Sequence, residues 1–334
     1  MRKEKTTRYL KAFLKISIAI LAIWVLFKTG KLTKESFIKL FQVNNIPFIL
    51  LSSLAFLSCQ LLIASRLVLL LRTIGLHLQF LRGFKLIMIG NFFNIVIPGT
   101  VGGDLVKGYY LIKEEKNSKG RSSGIIAMDR VIGFSAVVFF CGVSVIYLLQ
   151  QNSINLSSYY RELYFTFVAI SALFSLFAVF LVFGRHPRIR EKLKTIFVRI
   201  FRSSIFYYMV DSVGILLKKR RIIVYSFLIS ILIQLISLAG LLILMKITSK
   251  DLPDLITLLA VSSIVMLFGI IPVTPGNIGW IELIAAFGWS AVGSNDGAEV
   301  FFYWRVVTVC CSLSGLYLFM AKRRELELKY RESL

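Results

Sequence analysis

Histidine, cysteine and acidic residues are what this sequence has least of. Its two histidines, His77 and His186, stand far apart in basic segments and form no HExxH pair. Its four cysteines, Cys59, Cys141, Cys310 and Cys311, fall within apolar runs and show no CxxC spacing. A zinc or redox centre therefore has no ligand set, and the cysteines read as small apolar residues. The histidines read as interfacial. Nucleophile elbow, P-loop and dinucleotide fingerprint are all missing, so neither a cofactor nor a metal is implied. Only 17 acidic residues face 40 basic ones, a formal charge of +23. In a soluble protein that imbalance would point to nucleic acid. Here the lysines and arginines sit between hydrophobic runs, where they set topology and meet anionic headgroups. No nucleic-acid partner is expected.

What the sequence does have is apolar length. Hydrophobic residues are 57% of the 334, and the mean hydropathy is +0.77. A soluble domain carries roughly 45–50% apolar residues, so the excess faces hydrocarbon. Several runs approach the roughly 20 residues that cross a bilayer. The class is an all-α polytopic membrane protein, with residues 1–334 as one membrane domain.

In chain order, the basic residues 1–15 lead into an apolar run over 16–27, followed by Lys28 and Lys31. Without a small-x-small cleavage site this reads as a retained first helix with a cytoplasmic N-terminus. Residues 32–45 form a short interfacial segment. Residues 46–71 are the second span, with Arg66 near its end snorkelling to the headgroups. Residues 84–97 enter the membrane and break at Pro98-Gly99, and both flanks are basic. A re-entrant hairpin near 84–112 fits that charge pattern, with two full spans as the alternative. Residues 131–149 cross to the polar, uncharged loop QQNSINLSSYY, and 163–183 return. The strongly basic stretch 184–221 reads as an amphipathic connector on the cytoplasmic face, with a regulatory lipid site as the alternative. Residues 222–245 cross again, and 255–271 meet a second break at Pro275-Gly276. That second hairpin, near 255–292, lacks a basic excess at either end and enters from outside. Residues 300–320 close the membrane part, leaving KRRELELKYRESL in the cytoplasm. About six full spans and two hairpins result, in a multi-pass protein of the cell membrane with both termini cytoplasmic. The first repeat (8–150) and the second (160–322) run in opposite directions, an inverted-topology repeat that the basic-residue counts generate independently of any motif.

The motifs fall at matching places in the two halves. Asp104 follows Pro98 by six residues, and Glu282 follows Pro275 by seven. Asp129-Arg130-Val131-Ile132 is echoed by Trp304-Arg305-Val306-Val307. Broken hydrophobic segments at corresponding positions of two halves mark the binding site of a repeat-built transporter. Irregular backbone at membrane depth is tolerated where protein buries it or where it lines a polar cavity. Gly99, Gly102, Gly103, Gly276 and Gly279 permit such backbone and can open helix N-termini that favour anions, phosphate above all. The plainer reading is kinking and close helix packing. Asp104, Asp129, Arg130, Glu282 and Arg305 are charges at or near membrane depth, where such residues pair or line a pathway. The planar forks of Arg130 and Arg305 suit a phosphodiester. Asp104 and Glu282 either hold those arginines or receive an amine or proton, and two internal salt bridges that fix the hairpins are the structural alternative. Asn91, Asn94 and Asn277 add hydrogen-bonding groups, while Tyr109 and Tyr110 read equally as interface anchors or ligands.

GNFFNIVIPGTVGGDLVKGYYL, then AMDRVIG, then PGNIGWIE, resemble the membrane region of lysylphosphatidylglycerol synthases and its stand-alone, flippase-like relatives. The resemblance covers roughly residues 8–322, and PGxxGGD, DRxxG and PGxxGxxE are its most specific parts. Lys107 stands where similar sequences often carry arginine. The resemblance implies lipid translocation by the membrane region. It does not imply aminoacyl transfer, because the synthase domain of the fused relatives is not expected here.

The expected function is a lipid flippase rather than an enzyme. An anionic phospholipid or polyprenyl-linked lipid would pass its headgroup through a cavity between the hairpins. Arg130, Arg305, Asn94, Lys107, Asp129 and Asn277 would line that cavity, together with the acids and glycines above. A membrane-embedded lipid-carrier transferase and a non-catalytic accessory subunit are the competing readings. Membrane lipids are the expected partners, with a second copy of the chain or a lipid-modifying enzyme beside them.

Overall fold

The computed structural model describes residues 17–96, 102–114, 119–150, 204–248 and 255–332, apart from 19, 270 and 272, together with 188, 191 and 195. The Pro98-Gly99 break, the loop after residue 150, the span expected over 163–183 and most of the connector lie outside these described residues.

The described residues are helical with no strand among them. A first helix, α1, runs over residues 20–28 and is followed by α2 (Lys34–Leu40). Thr33 starts α2 through a capping box with Ser36, which satisfies two free backbone donors reciprocally. The long α3 (Ile46–Arg72) begins with Pro47 in its first turn, where the missing N–H costs nothing. Then come α4 (Phe80–Val96), α5 (Gly102–Glu114), α6 (Lys119–Gln150), α7 (Ser204–Lys218) and α8 (Arg220–Thr248). The chain continues with α9 (Leu255–Phe268), a tight turn over Pro275–Asn277, α10 (Trp280–Ser290) and α11 (Gly297–Glu332).

Among the described residues, four helices are long and apolar enough to cross a membrane, over Val43–Arg72, Gly120–Leu148, Arg220–Thr248 and Gly297–Ala321. Their outer faces carry exposed apolar side chains, among them Leu50 and Leu54 on α3, Leu228 and Leu235 on α8, and Tyr317 and Met320 on α11. Exposed apolar area on this scale marks contact with something other than water.

Helix α3 packs most extensively on α8, α6 on α7 and α9, and α11 on α4 and α10. One core gathers Leu70, Leu71, Ile87, Ile125, Met128 and Leu216; a second gathers Leu241, Leu244, Val261, Val265, Trp289 and Val307. Small residues bring backbones together at two crossings. A Cβ at Gly103 of α5 would overlap the Gly90 carbonyl of α4, and one at Gly315 of α11 would overlap the Met88 carbonyl of α4. Such contacts are how helices associate where lipid removes the hydrophobic driving force.

One contact recurs along the chain at a spacing of 174 residues, to within one position. Asn91 donates to Gln60 at 2.7 Å, and 174 positions beyond Gln60 Gln234 donates to Met266 at 2.9 Å. The Cys59 thiol meets the carbonyl of Ile233, the residue at the same spacing from it, at 3.5 Å.

Three features differ from the sequence expectation. Helix α6 begins at Lys119, so Asp129 and Arg130 lie well inside it rather than at its mouth. Ser122, Ser123 and Gly124 favour a turn locally, but Gly124 packs against Met209 and Ser212 of α7, and that contact carries the helix through. Residues 204–218 of the expected surface connector form α7, which buries Ser212, Leu216 and Leu217. Arg66 does not snorkel to the headgroups but is buried in the helix bundle. Of the cysteines, Cys59 and Cys141 are buried, Cys311 is half-buried and Cys310 is exposed; His77 is exposed.

Candidate functional site

The first broken element is α4 followed by α5. Asn94, near the end of α4, accepts a hydrogen bond from the Gly103 N–H at 2.8 Å and so caps α5 from outside. Asp104 sits in the first turn of α5, where the helix dipole favours a carboxylate. Two cations share that carboxylate. Lys107, one turn on and buried, donates to Oδ1 at 3.0 Å. Arg130 of α6 donates Nε to Oδ2 at 2.7 Å and Nη2 to Oδ1 at 3.0 Å, the bidentate geometry that the planar guanidinium favours. The Arg130 side chain remains 48% exposed, and its Nη1 group has no partner among the described residues.

The second broken element is α9, the Pro275–Asn277 turn and α10. Gly276 (φ 58°) and Asn277 (φ 56°) adopt the left-handed region, as does Gly279 (φ 79°) at the N-cap of α10. Glycine takes these angles without steric penalty and asparagine is the commonest side chain to follow it there. The turn is tied back to α9. Asn277 donates its amide to the Gly269 carbonyl, and Trp280 Nε1 donates to Phe268 at 3.3 Å. Arg305 of α11 then fastens the turn. Its Nη1 donates to the Gly276 carbonyl at 2.7 Å, its Nη2 to the Asn277 carbonyl at 2.9 Å, and its Nε to Glu282 in the first turn of α10. Glu282 is 3% exposed; its Oε2 and the Asn277 Oδ1 lie buried with no hydrogen-bond partner among the described residues.

Between the two broken elements lies a cavity of about 250 Å³. Asn91, Asn94 and Arg130 wall it on one side, Gly276, Asn277 and Arg305 on the other, and Thr308 and Ser312 of α11 complete its polar lining. Phe56, Ile95 and Val309 form its apolar part. Of the residues proposed from sequence, Asn94, Arg130, Gly276, Asn277 and Arg305 reach this wall. Asp104, Lys107 and Glu282 stand behind it as partners of its arginines. Gly102, Gly103 and Gly279 shape the helix starts without lining it, and the Gly103 N–H is already taken by Asn94. Gly99 lies outside the described residues.

Asp129 turns away from Arg130. It accepts from Arg66 Nε of α3 at 2.7 Å, and both side chains are buried. Arg66 also donates Nη1 to Ser230 of α8 at 2.6 Å. Gly133, one turn beyond Asp129, leaves the space that the guanidinium fills; a Cβ there would stand 3.2 Å from Nη1. The DRxxG run therefore serves two sites: Asp129 and Gly133 seat Arg66, while Arg130 faces the cavity. Sequence reasoning missed Arg66, although its signal was present, because a buried carboxylate requires a cation and Asp129 had none assigned. Ser312 and Phe56 carried no signal at all.

Residues 12–321 match the family model described as the lysylphosphatidylglycerol synthase TM region. The chain belongs to that family. It is also similar to the UPF0104 membrane protein MJ1595 of Methanocaldococcus jannaschii, at 23% identity over 126 residues, 37% of this chain and 38% of that protein. The match thus spans well under half the length of this relative. No solved structure matches the chain.

Proposed function

We propose, from the premise of that family membership, that this chain carries an anionic lipid between the leaflets of the cell membrane. The observation behind this reading is the meeting of Arg130 and Arg305, from two different helices, on one polar cavity between two broken elements. The headgroup enters that cavity while the tails stay in the bilayer, and the two halves rock about it in alternation.

Two further observations support the architecture this needs. Helices α5 and α10 have 13 and 11 residues. At 1.5 Å per residue they reach roughly 20 Å or less, short of the roughly 30 Å hydrocarbon core, as expected of re-entrant hairpins. The contact that recurs at a spacing of 174 residues supports an inverted-topology repeat, with Cys59 and Ile233 facing each other near its axis. Both termini then lie in the cytoplasm. Movement is downhill or coupled to an ion or proton through Asp104 or Glu282. The protein acts as a transporter and not as an enzyme, and its partners are membrane lipids, with a second copy or a lipid-modifying enzyme beside them.

The test is leaflet exchange in proteoliposomes with labelled anionic, zwitterionic and polyprenyl-phosphate lipids. Wild type should exchange an anionic lipid, and Arg130→Ala should lose that exchange. Folded protein that exchanges no lipid overturns the reading. Product formation from an added donor in detergent, where leaflets are absent, would replace it with a transferase.

A further inference from the structure

The charges around the cavity do not balance, and the imbalance specifies a ligand. Lys107, Arg130 and Arg305 are positive; Asp104 and Glu282 are negative, and each carboxylate is held by an arginine. The neighbouring Arg66–Asp129 pair cancels itself. One positive charge is left over among the described residues, and it is delivered on one side. Asp104 has two cations, so a ligand can take Arg130 while Lys107 keeps the carboxylate company. Arg305 has no such substitute: three of its five N–H groups hold Glu282 and the turn carbonyls, and no second cation stands beside Glu282 among the described residues.

The uncharged wall adds the second half of the specification. Asn94 spends its oxygen on the Gly103 N–H, which leaves its amide nitrogen as a donor on the wall. Asn91 spends an amide N–H on Gln60, which leaves its oxygen as an acceptor on the wall. An acceptor of this kind calls for a hydroxyl or amide donor. Among the described residues no carboxylate is on the wall to receive an ammonium or a quaternary amine.

Resting on the transport reading above, we infer that the cavity selects a monoanionic phosphodiester with an uncharged, hydroxylated headgroup. Lys107 is the positioning residue that frees Arg130 for the phosphate. Aminoacylated and zwitterionic lipids are disfavoured because their cations meet an excess positive charge and no free carboxylate.

Binding in detergent tests this independently of transport. The probes are short-chain phosphatidylglycerol, phosphatidylcholine, lysyl-phosphatidylglycerol and phosphatidic acid, with affinity read by titration of intrinsic fluorescence and by thermal shift. Wild type should prefer phosphatidylglycerol over the zwitterionic and cationic lipids by roughly tenfold or more, the order expected of one uncompensated charge at close range. Lys107→Met should bring those affinities close together, and Lys107→Arg should restore the preference. Asp104→Asn, which adds a net positive charge, should shift it toward the phosphomonoester. Ser312→Asp places a carboxylate on the wall without touching the ion network and should turn the preference toward lysyl-phosphatidylglycerol, a readout that survives if the network variants fail to fold. Equal affinities in wild type, absence of binding, or a preference unmoved by both Lys107→Met and Ser312→Asp overturns the inference. Selective binding without leaflet exchange would instead leave the inference standing and remove the transport reading.

Discussion

The two broken elements solve one problem with different parts. In the first, a side chain reaches for backbone: Asn94 on α4 takes the Gly103 N–H. In the second, the turn itself supplies the side chain, and Asn277 donates to the Gly269 carbonyl. The arginines differ more. Arg305 spends three of its five N–H groups on the turn and on Glu282, and its side chain is 18% exposed; Arg130 grips only Asp104 and is 48% exposed. One arginine is built into the turn beside it and the other is presented to the cavity. The surrounding helix contacts differ in the same sense. Where the first half centres on the buried pair Arg66–Asp129, the second places Trp304 against Gly240 and edge-on to Phe56, 6.3 Å between ring centroids. An ionic joint stands opposite an apolar one.

Breaking the ionic joint should have the largest effect. Arg66→Ala strands Asp129 in the bundle and should cost about 3–5 kcal/mol, read as a drop in unfolding midpoint in detergent. Converting the joint to the apolar kind, with Arg66→Met and Asp129→Leu together, should recover most of that loss. A double variant as unstable as the single one would show that the pair is specifically required. Next, Arg305→Ala frees Glu282 and two turn carbonyls at once and should cost about 3 kcal/mol, with stability and exchange lost together. Gly103→Ala forces α5 off the Gly90 carbonyl, and overpacking of that kind costs roughly 1–3 kcal/mol. Gly108→Ala, whose nearest contact is Ile126 at 3.8 Å, is its near-neutral control in the same thermal melts. Among the charged residues the smallest stability change belongs to Arg130→Ala. Arg130 itself is half exposed and Lys107 still holds Asp104, so the loss should stay under about 1 kcal/mol while exchange disappears. Equal destabilisation by Arg130→Ala and Arg305→Ala would end the distinction between a built-in and a presented arginine.

Much of this was legible in the residues alone. Residues 46–71 were read as a span and α3 covers Ile46–Arg72; residues 222–245 were read likewise and α8 covers Arg220–Thr248. The acid after each Pro-Gly break does hold the arginine of the later helix. What hydropathy does not carry is partnership between distant charges. Arg66 lies one turn and a half from the polar end of its helix, so its local sequence fits an interfacial residue as well as a buried one. Only the proximity of Asp129, 63 positions later, decides. The start of α6 was hidden for a related reason, since Ser122-Ser123-Gly124 looks like a turn until α7 is laid against it. The cavity wall beyond the charges was illegible, because Phe56, Thr308 and Ser312 are ordinary helix residues that acquire meaning from the elements facing them.

The meeting of Gly315 with the Met88 carbonyl has a mechanical meaning. Side chains can yield when one helix is pushed against another, but bare backbone has nothing to compress, and packed interiors transmit strain. Helix α4 touches α5 through Gly90 and Gly103 and touches α11 through Gly315, in both cases without such a cushion. The same rod, α11, carries Arg305 about 15 Å nearer its start, where it grips the second turn by two carbonyls. A tilt of α4 would thereby be passed along α11 as a lever stroke to the second turn, so that the opposite walls of the cavity meet through a single helix.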